Sequence, residues 1–168
     1  MTATDPGVDG PNRRDVAISG HTGDLTTARA GLTASNPEVR ATALGALERL
    51  GELDDADIVT ALTDPELAVR RRAAEVAATH PDVDLISALH DADTRVVEVA
   101  AWSCGEHESN RHEIIEALIA LATGSDEPLV RESAVAALGA IGDPRAIGTV
   151  IAATTDKPAV RRRAVLAL

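Results

Sequence analysis

The sequence predicts an all-α solenoid of five stacked helix pairs, and three observations predict it. The first is a recurring opening: Asn36-Pro37-Glu38-Val39-Arg40 returns in altered form at 64–70, 126–131 and 156–161. The second is a fixed spacing behind a valine. Val39, Val69, Val96, Val130 and Val160 stand 30, 27, 34 and 30 residues apart. Small or apolar residues follow each at plus four and plus eight: Ala43 and Leu47, Ala73 and Ala77, Ala100 and Cys104, Ala134 and Leu138, Ala164 and Leu168. That is the spacing of one helix face. The third is composition. The 168 residues are 45% hydrophobic but 1% aromatic, with no Phe or Tyr, so the core must be packed from Ala, Val, Leu and Ile. Small side chains let helices approach closely, which suits a stacked array.

Taken in chain order, residues 1–21 are polar, rich in turn formers and without the apolar segment of a signal peptide, and are expected to form a disordered tail. One domain then spans 22–168, in repeats of about 22–51, 52–81, 82–108, 109–142 and 143–168. Each repeat opens on a short apolar stretch: Leu25 to Leu32, Ile58 to Leu62, Val83 to Leu89, Ile114 to Leu121 and Ile147 to Ala153. The anchored helix follows. Pro37, Pro65, Pro128 and Pro158 stand before the anchor in four copies, each with Asn36, Asp64, Asp126 or Asp156 nearby. A fixed φ at the first helical position and a short acceptor at the N-cap favour a helix start. Gly51, Pro81, Gly105 and Gly142 read as stops. The third copy lacks the Pro and carries Val97 where the other four carry Arg.

The runs Asn36-Pro37-Glu38-Val39-Arg40 through Ala43-Leu44-Gly45-Ala46-Leu47, and Glu127-Pro128-Leu129-Val130-Arg131 through Ile141-Gly142-Asp143, resemble the HEAT-repeat superfamily. More narrowly, they resemble the short HEAT-like repeats typified by bilin lyases. The resemblance covers about residues 22 to 168, with copies shorter than the usual HEAT length of about 40 residues. It implies a right-handed α-α superhelix of five HEAT-like helix pairs, with the second helices lining a concave surface. For function it is broad, since such solenoids serve as scaffolds, adaptors and occasionally enzymes. HEAT-like deoxyhypusine hydroxylases bind iron through His-Glu pairs just after the Val-Arg anchor. Here those places hold Ala41-Thr42, Arg71-Arg72, Glu132-Ser133 and Arg162-Arg163, so the ligands do not carry over.

Aligning the copies assigns faces, because a helix turns about 100° per residue. Plus-two (Ala41, Arg71, Glu98, Glu132, Arg162) and plus-six (Gly45, Glu75, Trp102, Ala136, Leu166) point outward. Trp102 is the sole aromatic residue, and two readings of it stand. It is a partner anchor, or it folds over a neighbouring repeat to fill space beside Ala68, Ala77 or Ala136. On the first reading a concave site of Trp102, Arg71, Arg72, Glu75, Glu98 and Glu132, with Arg162 and Arg163 further along, binds a peptide or helix of mixed charge. The arginines one step after the anchor (Arg40, Arg70, Arg131, Arg161) lie at the edge of the core. The resemblance implies that they pair with turn aspartates, here Asp64, Asp126 and Asp156, in a ladder interrupted at Val97.

A net charge of −11 and a pI near 4.8 argue against generic nucleic-acid binding, which leaves a HEAT-like DNA glycosylase a distant third reading. No apolar run approaches 18 residues, so no membrane span is expected. The single cysteine excludes an internal disulfide, and Cys104 reads as a small buried residue of a reducing, cytoplasmic protein. His107 and His112, within Glu106 to Glu113, are weak metal candidates: His-Glu-x-x-His would need a histidine where Arg111 stands. A polar loop capping a helix from about Asn110 accounts for that stretch. No catalytic residue and no cofactor are expected. At the C-terminal helix, Val160, Ala164, Val165 and Leu168 offer an apolar edge, for end-to-end self-association or for the next repeat of a longer array, unless Arg161, Arg162 and Arg163 blunt it. The expected function is a non-catalytic scaffold or adaptor for a protein or peptide partner. The alternative is an enzyme or lyase accessory of the bilin-lyase type, which predicts a deep pocket of convergent polar groups.

Overall fold

A computed structural model describes residues 10–107 and 111–168. Every regular element among the described residues is helical, and the chain divides into two compact units at Asp54 and Asp55.

The first unit holds α1 (Arg13–Thr22), α2 (Leu25–Gly31) and α3 (Pro37–Leu50). Helix α1 corrects the expectation of a tail over residues 1–21, of which 1–9 lie outside the described residues. Asn12 caps it by accepting the Asp15 amide at 3.0 Å, and Gly23, at φ 81, ends it in the left-handed region. Val16, Ser19 and Gly20 are buried, and a Cβ on Gly20 would lie 2.9 Å from Ala46 Cα on α3. Close backbone approach thus substitutes for apolar bulk, which is why a hydropathy pattern does not announce this helix. The same approach, one residue from Gly45, accompanies a second departure: Gly45, placed outward by the alignment, is buried with Leu44 and Ala46. Helix α3 starts as its sequence indicates, with Pro37 at the first position and Asn36 Oδ1 accepting the Glu38 amide at 2.9 Å. It ends at Gly51, φ 70.

The second unit runs α4 (Asp55–Ala61), α5 (Leu67–Val76), α6 (Ile86–Leu89), α7 (Thr94–Gly105), α8 (His112–Gly124), α9 (Pro128–Ile141), α10 (Ile147–Ala153) and α11 (Pro158–Ala167). Short 3-10 turns at Ala77–Thr79 and Pro144–Ala146 follow α5 and precede α10. The anchored helices α5, α7, α9 and α11 pack in succession, and α4, α6, α8 and α10 each lie against their own partner. Val69, Val96, Val130 and Val160 are buried, as are Ala73, Ala100, Ala134 and Ala164 four residues on. Ala77, Cys104 and Leu138 are buried at plus eight, whereas Leu168 is exposed.

Two turn assignments change. Pro128 and Pro158 sit at the first helical position, but Pro65 stands before the Glu66 N-cap of α5, and Asp64 Oδ1 accepts the Glu66 amide instead. Gly142 closes α9 at φ 68, whereas Gly105 is the last helical residue of α7 and has no positive φ. Gly105 is needed for contact rather than for stopping: a Cβ there would sit 2.9 Å from Ala137 Cα.

Candidate functional site: a groove between α7 and α9

Helix α7 carries Glu98, Trp102 and Glu106 four residues apart, so all three project from one face, one turn above the next. Glu106 follows the last helical residue with helical dihedrals, φ −86 and ψ −10, and keeps that register. Trp102 is 44% exposed. It lines a groove of about 490 Å³ whose floor is Gly105, Ala136, Ala137 and Ala140 and whose far wall is Leu129, Glu132 and Ser133 of α9. The depth follows from the floor: at Gly105 and Ala137 the two helices nearly touch, and no long side chain rises between their outer faces.

Charge in the groove is unequal. Arg163 of α11 reaches in and meets Glu132 at 3.7 Å. Glu98 and Glu106 have no ion pair or side-chain hydrogen bond among the described residues. Three carboxylates therefore face one guanidinium, itself already engaged. Leu129, 59% exposed, adds apolar surface opposite the indole.

The structure brings four of the eight expected partner-binding residues to this groove: Trp102, Glu98, Glu132 and Arg163. Arg71, Arg72 and Glu75 lie on α5 outside it, with Arg72 paired to Glu75 at 3.0 Å. Arg162 is exposed on α11 and does not line it. Glu106 and Leu129 were not singled out by the sequence. Glu106 was legible as the next turn after Trp102 on the Glu98 face; Leu129, one residue before its anchor, lies off the rows the alignment marked.

The arginines that follow the anchors make a different structure. Arg70 grips Asp91 through Nε at 2.7 Å and Nη2 at 3.1 Å and donates to the Asp64 and Pro65 carbonyls at 3.0 Å. Arg131 does the same to Asp156, at 2.7 and 2.8 Å, and to the Ser125 and Asp126 carbonyls at 2.8 and 3.3 Å. Each guanidinium thus ties its own turn to the turn of the next repeat. Asp156 is a side-chain acceptor. Asp64 and Asp126 accept these bonds through their backbone, and the carboxylate that receives Arg70 is Asp91. Asp91 stands five residues before its anchor, as Asp64 does. Arg40 donates to the Ala34 and Ser35 carbonyls at 2.9 and 3.1 Å. Arg161 is exposed, its guanidinium without a hydrogen bond or ion pair among the described residues, and Val97 is buried in the third copy. These contacts shift the acids: the hydrogen bond from Arg131 pulls the Asp156 carboxyl from 3.8 to about 2, and that from Arg70 lowers Asp91.

His107 is buried, with Nε2 2.9 Å from the Ala77 carbonyl oxygen, and His112 lies 3.4 Å from Glu116 on its own helix. Among the described residues no group of three or more His, Cys, Asp or Glu is placed to hold a metal ion. Glu108, Ser109 and Asn110 lie outside the described residues; α8 starts at His112, with Arg111, its N-cap residue, paired to Asp84. Cys104 is buried, and that burial pushes its thiol up to about 12, so at neutral pH it is neither a thiolate nor accessible. No helix among the described residues is long and apolar enough to cross a membrane.

A family model described as HEAT repeats matches residues 83–168, the stretch that contains the groove. The match is to HEAT repeats as such and names no narrower type. No curated protein matches the sequence. Among solved structures, the crystal structure of an engineered protein, a Northeast Structural Genomics Consortium target, is similar with a TM-score of 0.60 and 20% identity, over 96% of this chain and 84% of that one. At that identity the likeness shows the fold alone: an α-solenoid.

Proposed function

Because the chain belongs to the HEAT-repeat family, we propose that it is a non-catalytic scaffold or adaptor that docks a protein or peptide partner on the face carrying Trp102. HEAT repeats generally serve as protein-interaction scaffolds, and stacked repeats present extended binding surfaces. The observation that carries the reading is Trp102 itself: the sole aromatic residue is 44% exposed beside a groove of about 490 Å³ rather than folded into the core. Aromatic anchors of this kind supply a large share of interface energy, because a rigid apolar ring loses water at little entropic cost. A lyase-type enzyme is supported less well, since the one thiol is buried and protonated. Affinity purification with mass spectrometry, comparing wild type with a Trp102→Ala variant shown to be folded by circular dichroism, tests the proposal. At least one partner is expected to fall about tenfold in recovery; equal recovery of every partner refutes it.

A second reading concerns α11, where Val165 and Leu166 are 61% and 75% exposed. A second copy of the chain would cover that face. Light scattering at rising concentration is expected to show mass growth that Leu166→Glu abolishes, and a constant monomer mass removes this reading.

A further inference from the structure

We infer that the groove between α7 and α9 takes an arginine side chain of the partner, its guanidinium stacked on Trp102 and held by Glu98 and Glu106. The inference rests on the docking reading above and names the chemistry of what docks. Its first support is charge complementarity. Glu98, Glu106 and Glu132 face Arg163 alone, and Arg163 is engaged by Glu132, so the space beside the indole carries two carboxylates without a counter-charge. Neither carboxylate has a partner of opposite charge, and a cation seated on the ring between them would be attracted by both.

The second support is shape. Glu98, Trp102 and Glu106 succeed one another along one helix face, so a planar cation lying flat on the ring reaches a carboxylate at either edge. A guanidinium is planar, weakly hydrated and able to donate in two directions, whereas an ammonium is a compact, strongly hydrated point charge. The floor of Gly105, Ala136, Ala137 and Ala140 leaves room for a three-carbon stem and offers no competing donor. Leu129 supplies apolar surface for that stem on the opposite wall.

Because the chain has a single tryptophan, its fluorescence reads the site directly. Titration with N-acetyl-L-arginine N-methylamide is expected to change Trp102 emission saturably, with a midpoint in the range of about 1–10 mM that rises with salt. The citrulline analogue, equal in shape and uncharged, is expected to bind at least about fivefold more weakly, as is the arginine amide to a Glu98→Gln/Glu106→Gln variant, which keeps the fluorophore and the side-chain size. An equal response to citrulline, or no effect of the double substitution, overturns the inference. Selection of displayed ten-residue peptides on wild type against Trp102→Ala separates it from the reading it rests on. Trp102-dependent peptides enriched in arginine support both. Trp102-dependent peptides without that enrichment overturn the arginine pocket and keep the docking face. Recovery of no Trp102-dependent peptide overturns the docking face and the pocket together.

Discussion

Arg131→Met removes the guanidinium that joins the α9 turn to the α11 turn while keeping an unbranched apolar stem of similar reach. Four donations disappear: two to Asp156 at 2.7 and 2.8 Å and two to the Ser125 and Asp126 carbonyls at 2.8 and 3.3 Å. The side chains of Arg131 and Asp156 are 13% and 21% exposed, so solvent replaces these bonds poorly. A hydrogen bond to a charged group is worth about 1.5–3 kcal/mol net, and four made by one guanidinium do not add, which puts the expected loss at about 2–4 kcal/mol. Urea unfolding followed by circular dichroism measures it. Arg161→Met is the control: that guanidinium is exposed and makes no such bonds, and its loss is expected to cost less than about 0.5 kcal/mol. The pH dependence provides a second reading. Arg131 lowers the folded pKa of Asp156 to about 2 from 3.8, so the folded protein takes up this proton less readily than the unfolded chain. The stabilisation is fully present above about pH 4 and is lost as pH falls through about 2. The gap between wild type and Arg131→Met therefore narrows over that window. A loss below about 0.5 kcal/mol at pH 7, or a gap that persists unchanged to pH 2, refutes the reasoning.

Further expectations follow from other contacts. Gly105→Ala places a methyl 2.9 Å from Ala137 Cα, and forcing α7 and α9 apart is expected to cost about 1–3 kcal/mol in thermal or urea unfolding. Gly142→Ala puts a side chain on a residue at φ 68 and is expected to cost about 1 kcal/mol, although nothing lies within 4 Å of the new carbon. Asn36→Ala removes the acceptor for the Glu38 amide and is expected to cost about 1 kcal/mol of stability in the first unit. Cys104, buried with its thiol pushed up to about 12, is expected to react with a disulfide reagent only as denaturant opens the protein; rapid labelling at neutral pH contradicts its placement.

Much of the fold was legible because the anchor spacing is a property of single helices. Five valines and the small residues four positions on are buried wherever the alignment put them, since a helix repeats its faces regardless of its neighbours. What the spacing could not register is close approach between helices. Helix α1 is held by glycine contact at Gly20, so a hydrophobicity pattern passes over it. Gly105 carries the same residue type as Gly51 and Gly142 but serves contact with Ala137 rather than a left-handed turn. Asp91 is harder to read for a related reason: it accepts Arg70 from the next repeat, and its turn lacks the proline that stands beside Asp64, Asp126 and Asp156 in the other copies.

The third copy's departures share a physical setting. Arg70 joins α5 to the turn before α7, and Arg131 joins α9 to the turn before α11. At the junction between them Val97 replaces the arginine and is buried, so α7 offers no guanidinium to the turn before α9. There α7 packs directly against α9, and the absent side chain of Gly105 permits the approach, as that of Gly139 does between α9 and α11. The close approach also lowers the outer surface between the two helices to alanines, and a lowered floor between raised walls is a groove. Trp102 stands on one of those walls. The missing charged rung and the groove lined by Trp102 coincide in the copy that follows the repeat pattern least.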